Sequence, residues 1–324
     1  MAIKTADENR TGSKLRTWLQ AARLQFYPMA WIAYTLGAVC AEHLYNGFHI
    51  KPYLAGYLCL FLLELLTVLL NDYFDYETDK LNKNGSLYSG GSRAIVAGHL
   101  SFSEMRVGIV SIFLLLLLSI SLLIHVSPNL PALGIVTLML VGILLGAGYT
   151  VPPLKFCYRG FGELVVGLTH SPYVLIAGFF LQTGNINSPV PWLLSVPLFF
   201  AILAAILLAA LPDYDADMAV RKKTFAVIFG PRKATLAAMI CVLMAALSAG
   251  AVLLFKILPS AGVALMIVCI PHALILLKAM VKVRRQHLFG CRIDRVIQTA
   301  LSYIIWFGFI PLLVLFMNLN VDPS

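Results

Sequence analysis

The chain reads Asn71-Asp72-Tyr73-Phe74-Asp75-Tyr76-Glu77-Thr78-Asp79 directly after an apolar run, residues 54–70, that only Glu64 interrupts. We interpret the run and the stretch as one helix, in which successive residues turn by ~100°. Three of the acids and the asparagine then lie within about 100° of one another, whereas Glu77 points elsewhere. The pattern predicts an acidic face at the end of a hydrophobic helix.

This acidic face consists of Asp72, Asp75 and Asp79, with Asn71 beside them. Three carboxylates on one face repel one another, and the partial negative charge at the C-terminal end of a helix adds to the repulsion. A bound divalent cation would relieve both effects. Because all the ligands offer oxygen, we expect Mg²⁺, which commonly bridges carboxylates to substrate phosphates. The alternative is a solvated helix end, since short motifs also arise by chance.

A second acidic stretch, Asp213-Tyr214-Asp215-Ala216-Asp217, follows the apolar residues 191–211. Asp213 and Asp217 are four residues apart and share a helical face, whereas Asp215 points roughly opposite. Seven of the 15 acidic residues of the chain lie in the two stretches, so acid is concentrated rather than scattered. Basic residues follow each stretch. Together the stretches predict a cage for a metal–diphosphate group.

The composition is that of a membrane protein. The chain is 60% hydrophobic and only 12% charged, whereas a soluble domain carries about 25% charged residues. We attribute the net charge of +9 to membrane topology and expect no nucleic-acid partner. The six cysteines show no CxxC spacing, and the seven histidines show no HExxH pattern, so neither a disulfide framework nor a zinc site is predicted.

Nine apolar segments are each near the ~20 residues that cross a bilayer. They are approximately 24–42, 52–71, 104–125, 130–150, 161–181, 190–211, 234–255, 259–281 and 296–318. The sequence therefore predicts an all-α, polytopic membrane protein, with nine transmembrane helices in a bundle around a central, cytoplasm-facing cavity. The predicted parts are a cytoplasmic N-terminal segment (1–22), a transmembrane domain (23–318) and a C-terminal tail (319–324).

Lysine and arginine set the predicted orientation of these segments. With nine crossings, 22 of the 24 basic residues fall on one side, and only Lys51 and Lys256 fall on the other. By the positive-inside rule the N-terminus is then cytoplasmic and the C-terminus is not. Both acidic stretches end helices on the cytoplasmic side. We expect an integral, multi-pass protein, of the inner membrane if bacterial, whose active site faces the cytoplasm.

Two loops on that side carry groups suited to a phosphate. The first contains Gly90-Gly91-Ser92-Arg93, where glycines let backbone N–H groups approach an anion and Arg93 can bind phosphate through two N–H groups. The second contains Lys155 and Arg159, after a proline pair that should stop the preceding helix. Pro212 should likewise end or break the helix before Asp213.

These residues resemble the UbiA superfamily of intramembrane prenyltransferases. The residues Asn71-Asp72-x-x-Asp75-x-x-x-Asp79 match the first motif of that family, and Asp213-x-x-x-Asp217 with Lys222-x-Thr224 is similar to the second. Within the family, Gly90-Gly91-Ser92-Arg93 and the segment 149–163 look most like the menaquinone branch. The resemblance covers essentially residues 20–318. The chain departs from the residue pattern of that family at four positions, Ala209, Ala210, Pro212 and Arg221. These departures leave the diphosphate chemistry intact, but the identity of the aromatic acceptor stays open.

The resemblance implies Mg²⁺-dependent transfer of a polyprenyl group from its diphosphate to an aromatic acceptor, 1,4-dihydroxy-2-naphthoate in that branch. The implied partners are the polyprenyl diphosphate, the acceptor and the lipid bilayer. The implied metal ligands are Asn71, Asp72, Asp75, Asp79, Asp213 and Asp217, of which Asp72, Asp75, Asp213 and Asp217 are catalytic. The implied diphosphate ligands are Arg93, Lys155, Arg159 and Lys222, and Arg23, Asn71 and Tyr149 would contact substrate.

Three other functions stay open at this point. A family member can use a different acceptor of the 4-hydroxybenzoate type, or cyclise a prenyl diphosphate without an acceptor. A third alternative, of another class, is a transporter of divalent cations or anionic lipids, since ionisable residues inside a membrane also mark ion pathways. Against the transporter, the acids cluster at one face, and only Glu64 lies near mid-membrane.

Overall fold

The computed structural model describes residues 14–86, 88–254 and 256–319 of the 324-residue chain. Most of the predicted N-terminal segment, and nearly all of the predicted tail, lie outside these residues. Residues 14–22, the end of the N-terminal segment, are helical. In the described part, the only β-type contacts are two isolated bridges, which confirms the all-α prediction.

Twelve α-helices follow residues 14–22 along the described chain. They are α1 (Tyr27–Tyr45), α2 (Ile50–Phe74), α3 (Tyr76–Leu81), α4 (Phe102–Val126), α5 (Ala132–Thr150), α6 (Gly162–Thr183), α7 (Pro189–Ala209), α8 (Tyr214–Ala219), α9 (Phe225–Phe229), α10 (Pro231–Leu254), α11 (Pro259–Arg285) and α12 (Asp294–Leu319). Helix α6 contains a π-helical turn, Thr169–Tyr173. The short helices α3 and α8 carry the acids, and each directly follows a long hydrophobic helix.

Eight of the described helices are long and apolar enough to cross a membrane, namely α2, α4, α5, α6, α7, α10, α11 and α12. The chain is therefore an integral, multi-pass membrane protein. Helix α1 is 19 residues long but is not one of the eight, so the predicted count of nine crossings is not confirmed. Residues 33–41 of α1 are all buried, because α1 packs inside the bundle against α6 and α12.

Helices α1 and α6 approach each other through glycine. A Cβ at Gly37 would lie 1.9 Å from the carbonyl oxygen of Leu175, and one at Gly178 would lie 2.0 Å from that of Tyr34. Small residues let the two helix backbones approach closely. In a bilayer this close packing drives helix association, because lipid tails are as apolar as the side chains and leave no hydrophobic driving force between helices. On the outer surface large apolar side chains are exposed, for example Leu118, which suits contact with lipid.

The prediction of one continuous helix through the first acidic stretch is wrong. Helix α2 ends at Phe74, and Asp75, with φ −94° and ψ 10°, separates it from α3. Asp75 N–H nevertheless donates a 2.9 Å hydrogen bond to the Asn71 carbonyl oxygen, and Asp79 N–H donates one of 2.9 Å to the Asp75 carbonyl oxygen. The four-residue hydrogen-bond spacing of an α-helix thus continues across the break. Asn71, Asp75 and Asp79 therefore still face the same space. Helix α7 ends at Ala209, shortly before Pro212, as the sequence predicts.

Candidate active site

A cavity of about 500 Å³ runs between the helices that carry the two acidic motifs. Its walls contain six carboxyl groups and three cationic side chains, so acidic groups outnumber basic ones. These groups are Glu64, Asp75, Asp79, Glu163, Asp213 and Asp217, and Arg23, Arg93 and Lys222. Apolar side chains of α2, α5, α7 and α12, among them Leu60, Leu145, Ile202 and Leu301, line the rest of the cavity. One end of the cavity thus suits a charged group, and the remainder suits a hydrophobic one.

Asp72 does not line this cavity. Its carboxylate is buried and is held by Nη2 of Arg23 and by both the backbone N–H, at 3.1 Å, and the hydroxyl of Ser92. Arg23 also donates to Asn71 Oδ1 at 3.4 Å. Asp72 therefore ties the segment before α1 and the 82–93 loop to the first motif. Arg23 itself lines the cavity, as its implied contact with substrate requires.

Asp75 accepts three side-chain hydrogen bonds in the cavity wall. Oδ2 accepts from Asn71 Nδ2 at 2.9 Å and from Lys222 Nζ at 2.7 Å, and Oδ1 accepts from the Tyr158 hydroxyl at 3.0 Å. Burial alone would lower the pKa of Lys222, but the neighbouring Asp75 and Asp217 outweigh it and raise that pKa well above its usual value. Lys222 therefore stays charged and links the two motifs.

Asp79 and Asp217, one from each motif, are buried and line the cavity. Within the described chain neither carboxylate accepts a hydrogen bond, and the nearest cation to Asp217 is Lys222 Nζ at 3.9 Å. Burial raises the pKa of each to about 7. Gly91, with φ +70°, lets the loop press against Asp79, because a Cβ there would lie 2.0 Å from Oδ2. Both carboxylates are therefore available to a ligand that enters the cavity.

The 82–93 loop connects the first motif to the second. Asn82 Nδ2 donates to Asp213 Oδ1 at 2.6 Å, and the Ser89 hydroxyl donates to the same oxygen. Arg93 Nη1 donates to the carbonyl oxygens of Asp79, at 3.1 Å, and Asn82, at 2.9 Å, and so stabilises the C-terminal end of α3. Sequence reasoning missed Asn82 and Ser89, because their contacts depend on how a long loop folds back.

The remaining predicted residues divide between the cavity and the surface. Tyr149 lines the cavity. Lys155 and Arg159 do not: Lys155 Nζ lies 4.6 Å from the ring centroid of Tyr158, and Arg159 donates to the Pro153 carbonyl oxygen at 2.7 Å. Tyr158 was not assigned a role from the sequence, although it stands in the loop that carries the resemblance. Glu77 and Asp215 are exposed and lie outside the cavity wall, as their helical positions predict.

The donor atoms and the charge of the acidic end fit Mg²⁺. Among the described residues no three histidine, cysteine or acidic side chains converge into a ready-made metal cluster, because several of the acids are tied to neighbouring side chains. The available donors are nevertheless all oxygen, which suits a hard cation. The carboxylates of Asp79 and Asp217, one from each motif, line the same cavity, and their oxygens suit a divalent cation.

The described chain is thus a bundle of membrane helices around a cavity with two acidic walls and an apolar interior. The pattern of the UbiA prenyltransferase family matches residues 30–293, and the chain belongs to that family.

The chain is similar to two named prenyltransferases. The 1,4-dihydroxy-2-naphthoate octaprenyltransferase of Bacillus subtilis (strain 168) is 30% identical over 177 residues, 54% of each chain. The chain thus spans about half the length of this relative. The 2-carboxy-1,4-naphthoquinone phytyltransferase of Synechocystis sp. is 27% identical over 229 residues, 67% of each chain. The predicted resemblance to the UbiA family, and within it to the menaquinone branch, is confirmed.

A solved structure shares the fold. It is a UbiA homolog from Archaeoglobus fulgidus bound to GPP and Mg²⁺, with a TM-score of 0.59 and 14% identity, over 91% of this chain and 99% of that one. At this identity the similarity extends to the helical fold and not to individual residues.

Proposed function

We propose that the chain transfers a polyprenyl group from its diphosphate to an aromatic acceptor of the 1,4-dihydroxy-2-naphthoate type, with Mg²⁺ as cofactor. One observation carries the proposal: a single cavity has two acidic motifs at one end and apolar walls along the rest. A metal-bound diphosphate suits the acidic end, and a prenyl chain with an aromatic ring suits the apolar part. Both similar enzymes are named for naphthalene-based substrates, which favours this acceptor class.

Asp75, Asp79, Asp213 and Asp217, with the oxygen of Asn71, would hold the metal ion. Bound there, Mg²⁺ neutralises diphosphate oxygens and makes the diphosphate a better leaving group. Asp72 keeps Arg23 and the 82–93 loop in position through the contacts described above. We assign the diphosphate to Lys222 and Arg93, since these predicted cations line the cavity whereas Lys155 and Arg159 do not.

Transfer then requires that the allylic C–O bond break, with its electrons leaving on the diphosphate, and that a ring carbon attack the allylic carbon. The attacked ring carbon then loses the group it carried and keeps the bonding electrons, which restores the aromatic ring. Lys222 and Arg93 stabilise the negative charge that grows on the diphosphate. The apolar walls of α2, α5 and α7 exclude water, which would otherwise capture the allylic cation. We also propose that the acidic end faces the cytoplasm, because 22 of the 24 basic residues fall on that side of the predicted topology.

The test is a product analysis by mass. Purified protein with Mg²⁺ receives polyprenyl diphosphates of several lengths, together with 1,4-dihydroxy-2-naphthoate, with 4-hydroxybenzoate, or with no acceptor. A prenylated naphthalene product supports the proposal. Prenylated hydroxybenzoate as the main product, a cyclised prenyl product without acceptor, or metal flux into proteoliposomes with no product would each replace it with a different function.

A further inference from the structure

A second polar cluster lies deeper in the same cavity, where the walls are otherwise apolar. Glu64 of α2 precedes Asn71 by seven residues, which is two helical turns and about 10 Å along the axis on the same face. His170 of α6 lies opposite, with Nε2 3.9 Å from Glu64 Oε1. Both side chains line the cavity. An acid at such depth is costly, so a functional explanation is warranted.

The hydrogen bonds of His170 determine which ring nitrogen carries the proton. Nδ1 lies 3.1 Å from the carbonyl oxygen of Val166 and 3.0 Å from the Thr169 hydroxyl. A carbonyl oxygen only accepts, and the Thr169 hydroxyl already donates to the Val165 carbonyl at 2.8 Å. Nδ1 therefore carries the hydrogen in a neutral imidazole, and Nε2 presents a lone pair towards Glu64.

Neither Nε2 nor the Glu64 carboxylate receives a hydrogen bond within the described part of the chain. Their separation of 3.9 Å is too long for a direct bond. Two neighbouring hydroxyls add no donor: Thr67 donates to the Leu63 carbonyl at 2.9 Å, and Tyr173 donates to the Leu138 carbonyl at 3.1 Å. The Glu64 carboxylate and His170 Nε2 thus present hydrogen-bond acceptors to the cavity, and no described residue donates a hydrogen bond to either of them.

The backbone around His170 is unusual as well. His170 and Tyr173 belong to the π-helical turn Thr169–Tyr173, which includes Pro172. π-helical turns inside α-helices are rare and occur frequently at functional sites. In α6 the turn sets His170 and Tyr173 on the cavity wall, opposite the Glu64 face of α2. Both the backbone and the side chains therefore indicate a ligand site at this depth.

We propose that Glu64 and His170 bind a ring hydroxyl of the aromatic acceptor and thereby select phenolic substrates. The inference rests on the proposed function and refines its substrate class. A hydroxyl supplies the donor that the pair lacks, whereas a carboxylate would be repelled by Glu64, so the acceptor's carboxylate points away from the pair. Hydrogen bonding to Glu64 also draws the proton away from the ring oxygen. The ring becomes more electron-rich and attacks the allylic carbon more readily.

The test is equilibrium binding, which needs no turnover. Full-length protein in detergent is titrated by calorimetry with 1,4-dihydroxy-2-naphthoate and with its 1,4-dimethoxy analogue. We expect the wild type to prefer the dihydroxy compound by roughly tenfold or more, as for a hydrogen bond to a charged group. In Glu64→Gln the preference should fall towards one, because the amide can donate to the ether oxygen. His170→Asn should also reduce it, since Asn can keep the bond to Val166 but lacks Nε2.

Asp75→Asn is the matched control, because Asp75 lies at the acidic end of the same cavity. It should lose prenyl transfer and keep the hydroxyl preference. Thermal unfolding establishes that each variant is folded. If either Glu64→Gln or His170→Asn does not fold, the other variant alone is compared with the wild type. A wild type that does not prefer the dihydroxy compound, or folded variants that keep the full preference, would overturn the assignment of the pair. If the wild type shows the Glu64-dependent preference but transfers no prenyl group, the proposed function is contradicted. The assignment of Glu64 and His170 as a hydroxyl-binding pair is then still supported.

Discussion

The acids of the two motifs look alike in the sequence and differ in their surroundings. Asp72 is neutralised by Arg23 and accepts two further hydrogen bonds from Ser92. Asp79 and Asp217 accept none from the described residues, although both are buried. A buried carboxylate that accepts no hydrogen bond costs stability, so its retention points to a ligand that supplies further positive charge.

Replacing the free acids should therefore separate activity from stability. Asp79→Asn and Asp217→Asn should each lower prenyl transfer by roughly a hundredfold or more, because charge stabilisation of the leaving group is lost. The same variants should unfold at the same or a higher temperature without metal, since a buried carboxylate that accepts no hydrogen bond is removed. Asp215→Asn is the matched control: Asp215 is exposed, and both readouts should change little. Near wild-type activity in Asp79→Asn or Asp217→Asn would exclude that carboxylate from the metal site.

Asp72→Asn should behave in the opposite way. Breaking a buried ion pair leaves Arg23 uncompensated, which costs roughly 3–5 kcal/mol of folding free energy. The melting temperature in detergent should therefore fall clearly, whereas in Asp79→Asn it should not. Equal melting temperatures for the two variants would mean that the contacts of Asp72 with Arg23 and Ser92 contribute little.

At the scale of the element, glycine decides where two helices meet. Gly178→Ala should destabilise the protein by about 1–3 kcal/mol or more, because the new Cβ would lie 2.0 Å from the Tyr34 carbonyl and α1 must move away. Gly250→Ala in α10 is the matched control, since its Cβ would meet Met266 Sδ at an ordinary 3.5 Å. Alanine favours helix, so this control should keep or slightly raise the melting temperature. Equal effects of the two variants would show that the α1–α6 crossing is loose.

The sequence predicted those features that depend on local periodicity. Composition and apolar run length predicted the membrane bundle, and helical phase predicted that Glu77 and Asp215 point outward. Helical phase could not show that Asp72 binds protein side chains whereas Asp75 lines the cavity. The partners of Asp72, Arg23 and Ser92, come from distant parts of the chain. The break at Asp75 was missed for a related reason. No glycine or proline marks it, and the helical backbone bonds continue across it.

At the scale of the whole molecule, the side on which the chain ends depends on α1. Eight helices meet the length and hydropathy of a span, and α1 does not. Because residues 33–41 of α1 are buried by protein rather than exposed to lipid, α1 can cross the membrane with a less apolar sequence. We therefore expect nine crossings and a C-terminus outside the cytoplasm. A reporter that is active only in the cytoplasm, fused after Ser324, should stay silent, and an active reporter would mean an even number of crossings.

The two motifs should act as one site in which metal and diphosphate bind cooperatively. Six carboxyl groups and three cationic side chains line the cavity, and the metal and the diphosphate carry opposite charges, so each ligand supplies charge that the other needs. Mg²⁺ and a non-hydrolysable prenyl diphosphate should each raise the melting temperature in detergent, since any ligand of the native state stabilises it. Together they should raise it by more than the sum of the separate shifts. The excess should disappear in Asp79→Asn/Asp217→Asn and persist in Asp215→Asn, which lies outside the cavity wall. Additive shifts in the wild type, or an excess that survives the double change, would mean that metal and diphosphate do not share this site.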